Sequence, residues 1–295
     1  MAKKKRVRPQ PETLGLPCLG VDTHAHLDMD PLVQEVEQVL ARSQRAGVSR
    51  VGHVFLGPKA YSANRHLFAA HDEVFFLAGT HPHDARECTE EGIAVLCRAM
   101  DEDPRLVAWG EIGLDYYYTY SPQETQQKAL YQQLEAARQL DVPPVIHSRD
   151  ADETTLRILV EMGFVDRPVL WHCFGRDVAF GRELIDNGWT ISIPGPVSYR
   201  RNFPLQEAVR ELPLERLVLE TDAPFLAPEP YRGKGNEPAF TVFTAQAVAE
   251  LKEIPVEQVW RATAENARAF FGLGPEAVGA DGPGGQFPEQ PDAPL

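Results

Sequence analysis

The stretch VDTHAHLD, residues 21–28, sets two histidines two positions apart at the end of an apolar run. On a β-strand, positions i and i+2 face the same side. His24 and His26 would therefore project together, and neutral imidazole is the commonest side-chain metal ligand. A single pair of this kind is also what two packed core histidines give. Here the pattern repeats. GTHPHD carries His81 and His83, GEIGLDYYY carries Glu111 and Asp115, IHSRD carries His147, WHCFG carries His172, and LETDAPF carries Glu220 and Asp222. Of nine histidines, only His53, His66 and His71 lie outside these stretches. Imidazole nitrogens and carboxylate oxygens suit Zn, Mn, Co or Fe, and less obviously Mg. Six candidate ligands exceed one tetrahedral ion, which points to two ions sharing a bridging carboxylate. Glu111 is the natural bridge, because its strand lies between the two ligand groups.

Residues so far apart in sequence converge only if the elements before them bring their ends together. Apolar, β-branched runs are expected as strands at 19–24, 48–56, 74–81, 105–111, 142–147, 168–172, 188–193 and 216–222. Most are continuous apolar runs, as in parallel strands buried on both faces. Helical patterns lie between them. The clearest is PQETQQKALYQQLEAARQL, expected to open at Ser121 as cap with Pro122 in the first helical position. Further helices are expected around 239–251 and 255–271. Eight strands alternating with helices predict an α/β fold, a (β/α)8 TIM barrel, with a doubly wound open sheet as the alternative. In such a barrel the chemistry lies at the C-terminal strand ends, supplied by several strands.

Composition narrows the setting. Hydrophobic residues are 43% and charged residues 24% of 295, an ordinary globular balance with no run long enough to span a membrane. The net charge of −14 argues against tight nonspecific nucleic-acid binding, which wants a basic face. Four cysteines without a C-x-x-C suit a reducing cytoplasm. The first residues, with Lys3, Lys4, Lys5, Arg6 and Arg8, are basic but have no apolar core behind them, so they do not read as a secretory signal. Residues 273–295 are rich in Pro, Gly and Ala. One domain over 18–272 is expected, between flexible tails at 1–17 and 273–295.

Together, DTHAHLD, GTHPHD, GEIGLDYY, IHSRDA, HCF and LETDAPFLAP resemble the TatD family of metal-dependent hydrolases, within the amidohydrolase superfamily. The resemblance spans almost the whole domain, with the motifs in order. It implies a barrel with a divalent two-metal site and phosphodiesterase activity, typically a metal-dependent deoxyribonuclease acting 3′→5′. Residue by residue, it implies that His24, His26, Glu111 and Asp222 hold one ion, and Glu111, His147 and His172 the other. His81 matches a family histidine near the substrate phosphate. The ions expected are Mg2+ or Mn2+, with Zn2+ also compatible. Two stretches depart from the family: YRGKGNEP has Gly235 where arginine is usual, and SIPGPVSYRRNFP replaces a threonine-phenylalanine-lysine stretch.

The remaining residues take roles around that centre. A water activated between two ions would attack phosphorus, and Asp222 would take its proton. Glu220 is expected to pack and hydrogen-bond deeper in the barrel. Cys173 is expected to point away from His172 and pack. Substrate contacts are expected from His83, from Tyr116 and Tyr117 stacking a base, and from a basic collar of Arg149, Arg176, Arg200, Arg201, Arg232 and Lys234, with Asn236 beside it. The substrate expected is single-stranded nucleic acid entering by a free end; no membrane and no obligate protein partner are inferred. The alternative is a metal-dependent amidohydrolase, lactonase or phosphotriesterase acting on a small molecule. Barrel hydrolases that bridge their ions with a carboxylated lysine weaken that alternative, because none of the seven lysines sits at a strand end.

Overall fold

The computed structural model describes residues 8–274. Eight parallel strands follow one another in chain order around a nearly closed barrel. They are β1 (Gly20–Ala25), β2 (Val48–Leu56), β3 (Val74–Gly79), β4 (Leu106–Asp115), β5 (Pro144–Arg149), β6 (Leu170–Trp171), β7 (Thr190–Ile193) and β8 (Leu217–Leu219). The helices between them are α1 (Val36–Ala46), α2 (Pro58–Asn64), α3 (Glu90–Glu102), α4 (Gln123–Gln139), α5 (Asp152–Glu161), α6 (Val178–Asp186) and α7 (Phe203–Glu211). After β8 come α8 (Thr241–Lys252) and α9 (Val256–Phe271). This is the (β/α)8 barrel expected from the alternation of apolar runs and amphipathic stretches. Strands and helices bury their apolar sides against each other, and Trp109, Trp171, Trp189 and Trp260 are all fully buried in that core.

Three local devices aim the strand ends. In β1, Asp22 pairs with Val51 and Ala25 with His53, so Thr23 and His24 together oppose Gly52. In β4, Gly110 pairs with Val145 and Ile112 with Ile146, leaving Glu111 as the extra residue. Bulges of this kind bend a strand and re-aim a side chain. Two residues on, Gly113 has φ +151, and a Cβ there would lie 1.8 Å from His147 O. Only glycine lets β4 pass β5 at that level.

The seam between β8 and β1 is closed by the site segments themselves. The His26 amide donates to Ala223 O (2.7 Å), and the Asp222 amide donates to His24 O (2.9 Å). Thr221 donates its amide to Asp22 Oδ1 (2.8 Å) and its hydroxyl to Asp22 Oδ2 (2.5 Å). The Thr23 hydroxyl donates to Leu219 O at 2.9 Å.

Several boundaries differ from the sequence reading. β6 and β8 are shorter than expected, because the chain leaves the ladder early and turns through positive φ at Cys173 (50°) and Asp222 (56°). β4 runs past the 105–111 expected of it, and Asp115 is its last residue. Ser121 does not cap α4; its hydroxyl donates instead to His83 O at 2.8 Å, and Pro122 stands just before the helix. Residues 8–17, expected as part of a tail, lie against the barrel. Pro11–Leu14 form a 3-10 turn with Pro11 buried. Trp260 Nε1 donates to Pro17 O (2.9 Å), and the Tyr231 hydroxyl donates to Pro9 O (2.9 Å). The proline-rich segment gives up few amides and offers carbonyls and ring surface that the barrel takes. Of the tails expected at 1–17 and 273–295, residues 1–7 and 275–295 lie outside the described residues.

Candidate metal centre

The donors gather into two groups that share Glu111. In the first, His24 Nε2 lies 3.3 Å from Glu111 Oε2 and 3.9 Å from Asp222 Oδ1. His26 Nε2 lies 3.9 Å from the same Glu111 oxygen and 3.4 Å from Asp222 Oδ1. Bonds of about 2.0 Å in tetrahedral geometry set donors about 3.3 Å apart, so these four atoms are close to the spacing one ion needs. On the other side, Glu111 Oε1 faces His147 Nδ1 (2.7 Å), His172 Nε2 (3.5 Å) and His81 Nε2 (3.6 Å). The two carboxylate oxygens of Glu111 thus point into two separate donor sets, as a bridging carboxylate does.

Electrostatics favour positive charge in this cluster. Burial pushes the Glu111 carboxyl up, but His172, His81, His147 and His24 outweigh it and hold it well below the usual carboxylate range. Burial opposes charge on His172 and His147 too, yet Glu220 and Glu111 raise His172 to about 10, and Asp115 and Glu111 raise His147 to about 9. These histidines hold protons that neutralise the carboxylates, and divalent ions would supply the same charge. His24 is fully buried, and neither of its ring nitrogens has a hydrogen-bond partner; His26 Nδ1 is also unpartnered. Buried polar atoms are nearly always satisfied, so the orphan His24 Nε2, which faces Glu111 and Asp222, fits a metal ligand. The residues present therefore fit divalent ions bound through nitrogen and oxygen.

Hydrogen bonds at the second ring nitrogen sort the histidines. His172 Nδ1 donates to Glu220 Oε2 (2.9 Å), so when an ion takes the place of the ring's second proton it is the Nε2 lone pair that faces Glu111. Such carboxylate–histidine pairs orient metal ligands. Glu220 is buried and hydrogen-bonded as expected of it, but its partner is this candidate ligand. His81 is the opposite case. The His83 amide donates to His81 Nδ1 (3.2 Å), so the neutral ring carries its proton on Nε2, which faces the cavity as a donor. Burial lowers His81 to about 4 and keeps it neutral despite Glu111. A tight triple of His81, Glu111 and His147 exists, but the tautomer makes His81 a hydrogen-bond donor rather than a ligand. His147 Nε2 lies 3.2 Å from Asp115 Oδ2, and His83 Nε2 is 2.9 Å from the same atom.

The sequence reading missed what holds these ends still. Gln126 of α4 accepts from the Asp115 amide (2.8 Å) and donates to Asp115 O and Ser121 O (2.9 Å each). Seven residues on, Gln133 accepts from the Thr80 amide (2.7 Å) and donates to Thr80 O (3.0 Å), just before His81. Both glutamines are buried. Their signal in the sequence is a pair of polar residues on the apolar face of a helix. Asp115 completes this set. Its Oδ1 accepts from the Tyr117 and Tyr118 amides (3.0 and 2.7 Å) while Oδ2 holds His83 and His147.

All the donors but the fully buried His24 line a cavity of about 710 Å3 that also meets Met29, Tyr118, Arg149, Cys173, Asn202 and Phe225. Of the expected basic collar, Arg149 alone lines this cavity. Arg200 and Arg232 line a different one, Arg232 lying over the Tyr199 ring at 4.2 Å. Arg176 pairs with Asp152, and Arg201 and Lys234 are exposed outside either cavity. Gly235, where the family usually has arginine, faces open space. Asn236 is a structural residue: buried, it donates to Thr221 O (2.8 Å) and Phe225 O (2.6 Å) and pins the loop after β8. Tyr116 packs into the core with its hydroxyl bound by Gln127 (2.7 Å), so it is not free to stack a base. Tyr117 is exposed beneath the Arg149 guanidinium, 4.1 Å from its ring centre. Cys173, expected to pack, turns into the cavity wall because its positive φ breaks the strand alternation.

A (β/α)8 barrel with a histidine–carboxylate cluster at its C-terminal strand ends, two donor sets meeting on one glutamate, defines a metal-dependent hydrolase. Comparison with known proteins agrees. Residues 21–272 match the family model described as TatD related DNase. An uncharacterized metal-dependent hydrolase, YabD of Bacillus subtilis (strain 168), is 35% identical over 250 residues, covering 85% of this chain and 98% of that one. The 3′-5′ ssDNA/RNA exonuclease TatD of Erwinia amylovora is 35% identical over 260 residues, covering 85% and 99%. Among solved structures, the TatD homologue YJJV of Escherichia coli k12 superposes with a TM-score of 0.81 at 26% identity, covering 86% of this chain and 98% of that one. The chain belongs to the TatD family of metal-dependent hydrolases.

Proposed function

We propose that this protein is a phosphodiesterase that trims single-stranded DNA, and RNA, from the 3′ end, using two divalent ions, Mg2+ or Mn2+. The observation that carries the reading is Glu111, whose Oε2 lies 3.3 and 3.9 Å from His24 and His26 and whose Oε1 lies 2.7 and 3.5 Å from His147 and His172. When bound, such ions act as Lewis acids and lower the pKa of water toward neutrality. His24, His26, Glu111 and Asp222 hold one ion, and Glu111, His147 and His172 hold the other. Glu220 and Asp115 fix the rings of His172 and His147, so each presents one nitrogen inward. Asp222 takes the proton from the attacking water. Burial favours protonation of its carboxyl, but the hydrogen bond to His26 and the charge of His172 keep it ionised and able to accept. His81, neutral and with its proton on Nε2, donates to a phosphate oxygen, and Arg149 balances the charge of the strand nearby.

The site at the foot of a walled cavity supports a free, unpaired end as substrate, since a rigid duplex cannot follow the wall down. The net charge of −14 supports short contact with the backbone. The polarity, and the range from DNA to RNA, rest on the similarity to the Erwinia exonuclease. Four cysteines without a C-x-x-C suit a cytoplasmic setting, and among the described residues no helix is long and apolar enough to cross a membrane.

The test uses 5′-labelled linear single strands, duplexes and single-stranded circles, with protein stripped by chelator and then reloaded with Mn2+ or Mg2+. Stepwise shortening of the linear strand, lost on chelation and restored by metal, is expected. Full activity in verified metal-free protein would sink the metal reading. Efficient cutting of circles would sink the requirement for an end. Turnover of a lactone or cyclic amide with none of DNA would replace the nuclease with the small-molecule alternative.

A further inference from the structure

Exposed aromatic side chains concentrate at one place on this molecule. Among the described residues, the exposed large apolar side chains are Tyr117, Tyr118, Tyr120, Val160, Val165, Phe203 and Phe225. Four of these seven, the three tyrosines and Phe225, belong to the loops after β4 and β8, within a few residues of Asp115 and Asp222. Tyr118 (39% exposed) and Phe225 (51% exposed) both line the cavity over the donors.

The two differ in what they already touch. Tyr118 stands in a self-packed wall: it lies parallel to Tyr120 (5.6 Å between centres), edge-on to His83 (5.7 Å), with the Arg149 guanidinium 4.7 Å from its ring centre. Phe225 has an unused face. Among the described residues the one ring beside it is His26, edge-on at 6.3 Å. Its backbone is nonetheless fixed, because its amide donates to Asp222 O (2.9 Å) and its carbonyl accepts from Asn236 (2.6 Å). A half-exposed aromatic ring on a pinned loop, three residues from a candidate metal ligand, loses apolar burial unless something flat covers it.

We propose that Phe225 is the stacking platform for the nucleobase at the end of the bound strand, with the Tyr118–Arg149 wall closing the cavity beside it. This rests on the nuclease reading above and adds to it that the enzyme holds a base as well as phosphates. Stacking accepts every base, because each has a flat π-face. It also disfavours a paired end, whose terminal base is already stacked and must be unpaired first.

The experiment compares a linear single strand with a natural 3′ end against the same strand whose last two nucleotides are abasic, using metal-loaded full-length protein. We expect kcat/KM for the natural end to exceed that for the abasic end by roughly 5- to 150-fold. Phe225→Ala should pull that ratio toward one, Phe225→Leu should reduce it less, and Tyr118→Ala should lower it least. A 2-aminopurine at the 3′ end should lose fluorescence on binding to wild type and regain most of it with Phe225→Ala. Equal cleavage of both strands by the wild type, or a ratio and quench unchanged in Phe225→Ala, would overturn the platform while leaving the nuclease reading intact. Cleavage of neither strand would overturn the nuclease reading itself, and the platform with it.

Discussion

At the floor of the cavity, His24, His26, Glu111 and His172 are buried at strand ends, whereas at its rim Tyr117, Tyr118 and Phe225 are 39–58% exposed. Each floor residue is placed by the ladder or by the β1–β8 seam, and for His172 a second polar group, Glu220, also sets the orientation of the ring. Rim residues sit on loops whose direction depends on non-local contacts. The structure brings the floor residues, expected at separate strand ends, into one cluster. The expected rim residues do not gather in this way: Arg200 and Arg232 line another cavity, Asn236 and Tyr116 turn inward, and Phe225 stands at the front. Strand ends in a barrel converge by construction, but loop side chains do not.

The contrast can be broken or sharpened by substitution. Glu111→Ala should have the largest effect. It removes a donor from both sets at once, and activity should fall by orders of magnitude with little bound metal, as read by turnover and by elemental analysis of the dialysed protein. Near-normal turnover would make Glu111 a packing residue and dissolve the two-set centre. Glu220→Gln comes next. The bond to His172 Nδ1 weakens while the shape stays, so metal affinity should drop about 10- to 100-fold, measured by titration with Mn2+. An unchanged affinity would mean that the ladder alone orients His172.

Asn236→Ala tests the reassignment of a rim residue to structure. Two carbonyls, of Thr221 and Phe225, lose their donor. Stability should fall by about 1–3 kcal/mol, seen as a lower midpoint in urea unfolding. A stable variant with a raised KM would restore its role as a substrate contact. Arg201→Ala should do least. It is exposed and lines neither cavity, so kcat/KM on a single strand should change by no more than about twofold. A tenfold rise in KM would extend the binding surface well past the cavity wall.

Much of the molecule was determined by the sequence alone. Alternating apolar runs and amphipathic stretches dictated eight parallel strands, because period and burial are local properties of the chain. The same locality put His24, His26, His81, Glu111, His147, His172 and Asp222 at strand C-termini. Tertiary structure decided the rest. Bulges at His24 and Glu111 depend on the register with β2 and β5, and no pattern within β1 or β4 reports them. Which histidine offers a lone pair depends on its other nitrogen. Glu220 reaches His172 from 48 residues away and leaves it a ligand, whereas the His83 amide makes His81 a donor. Both rings look alike in sequence, and only the atom that each meets in space separates their chemistry.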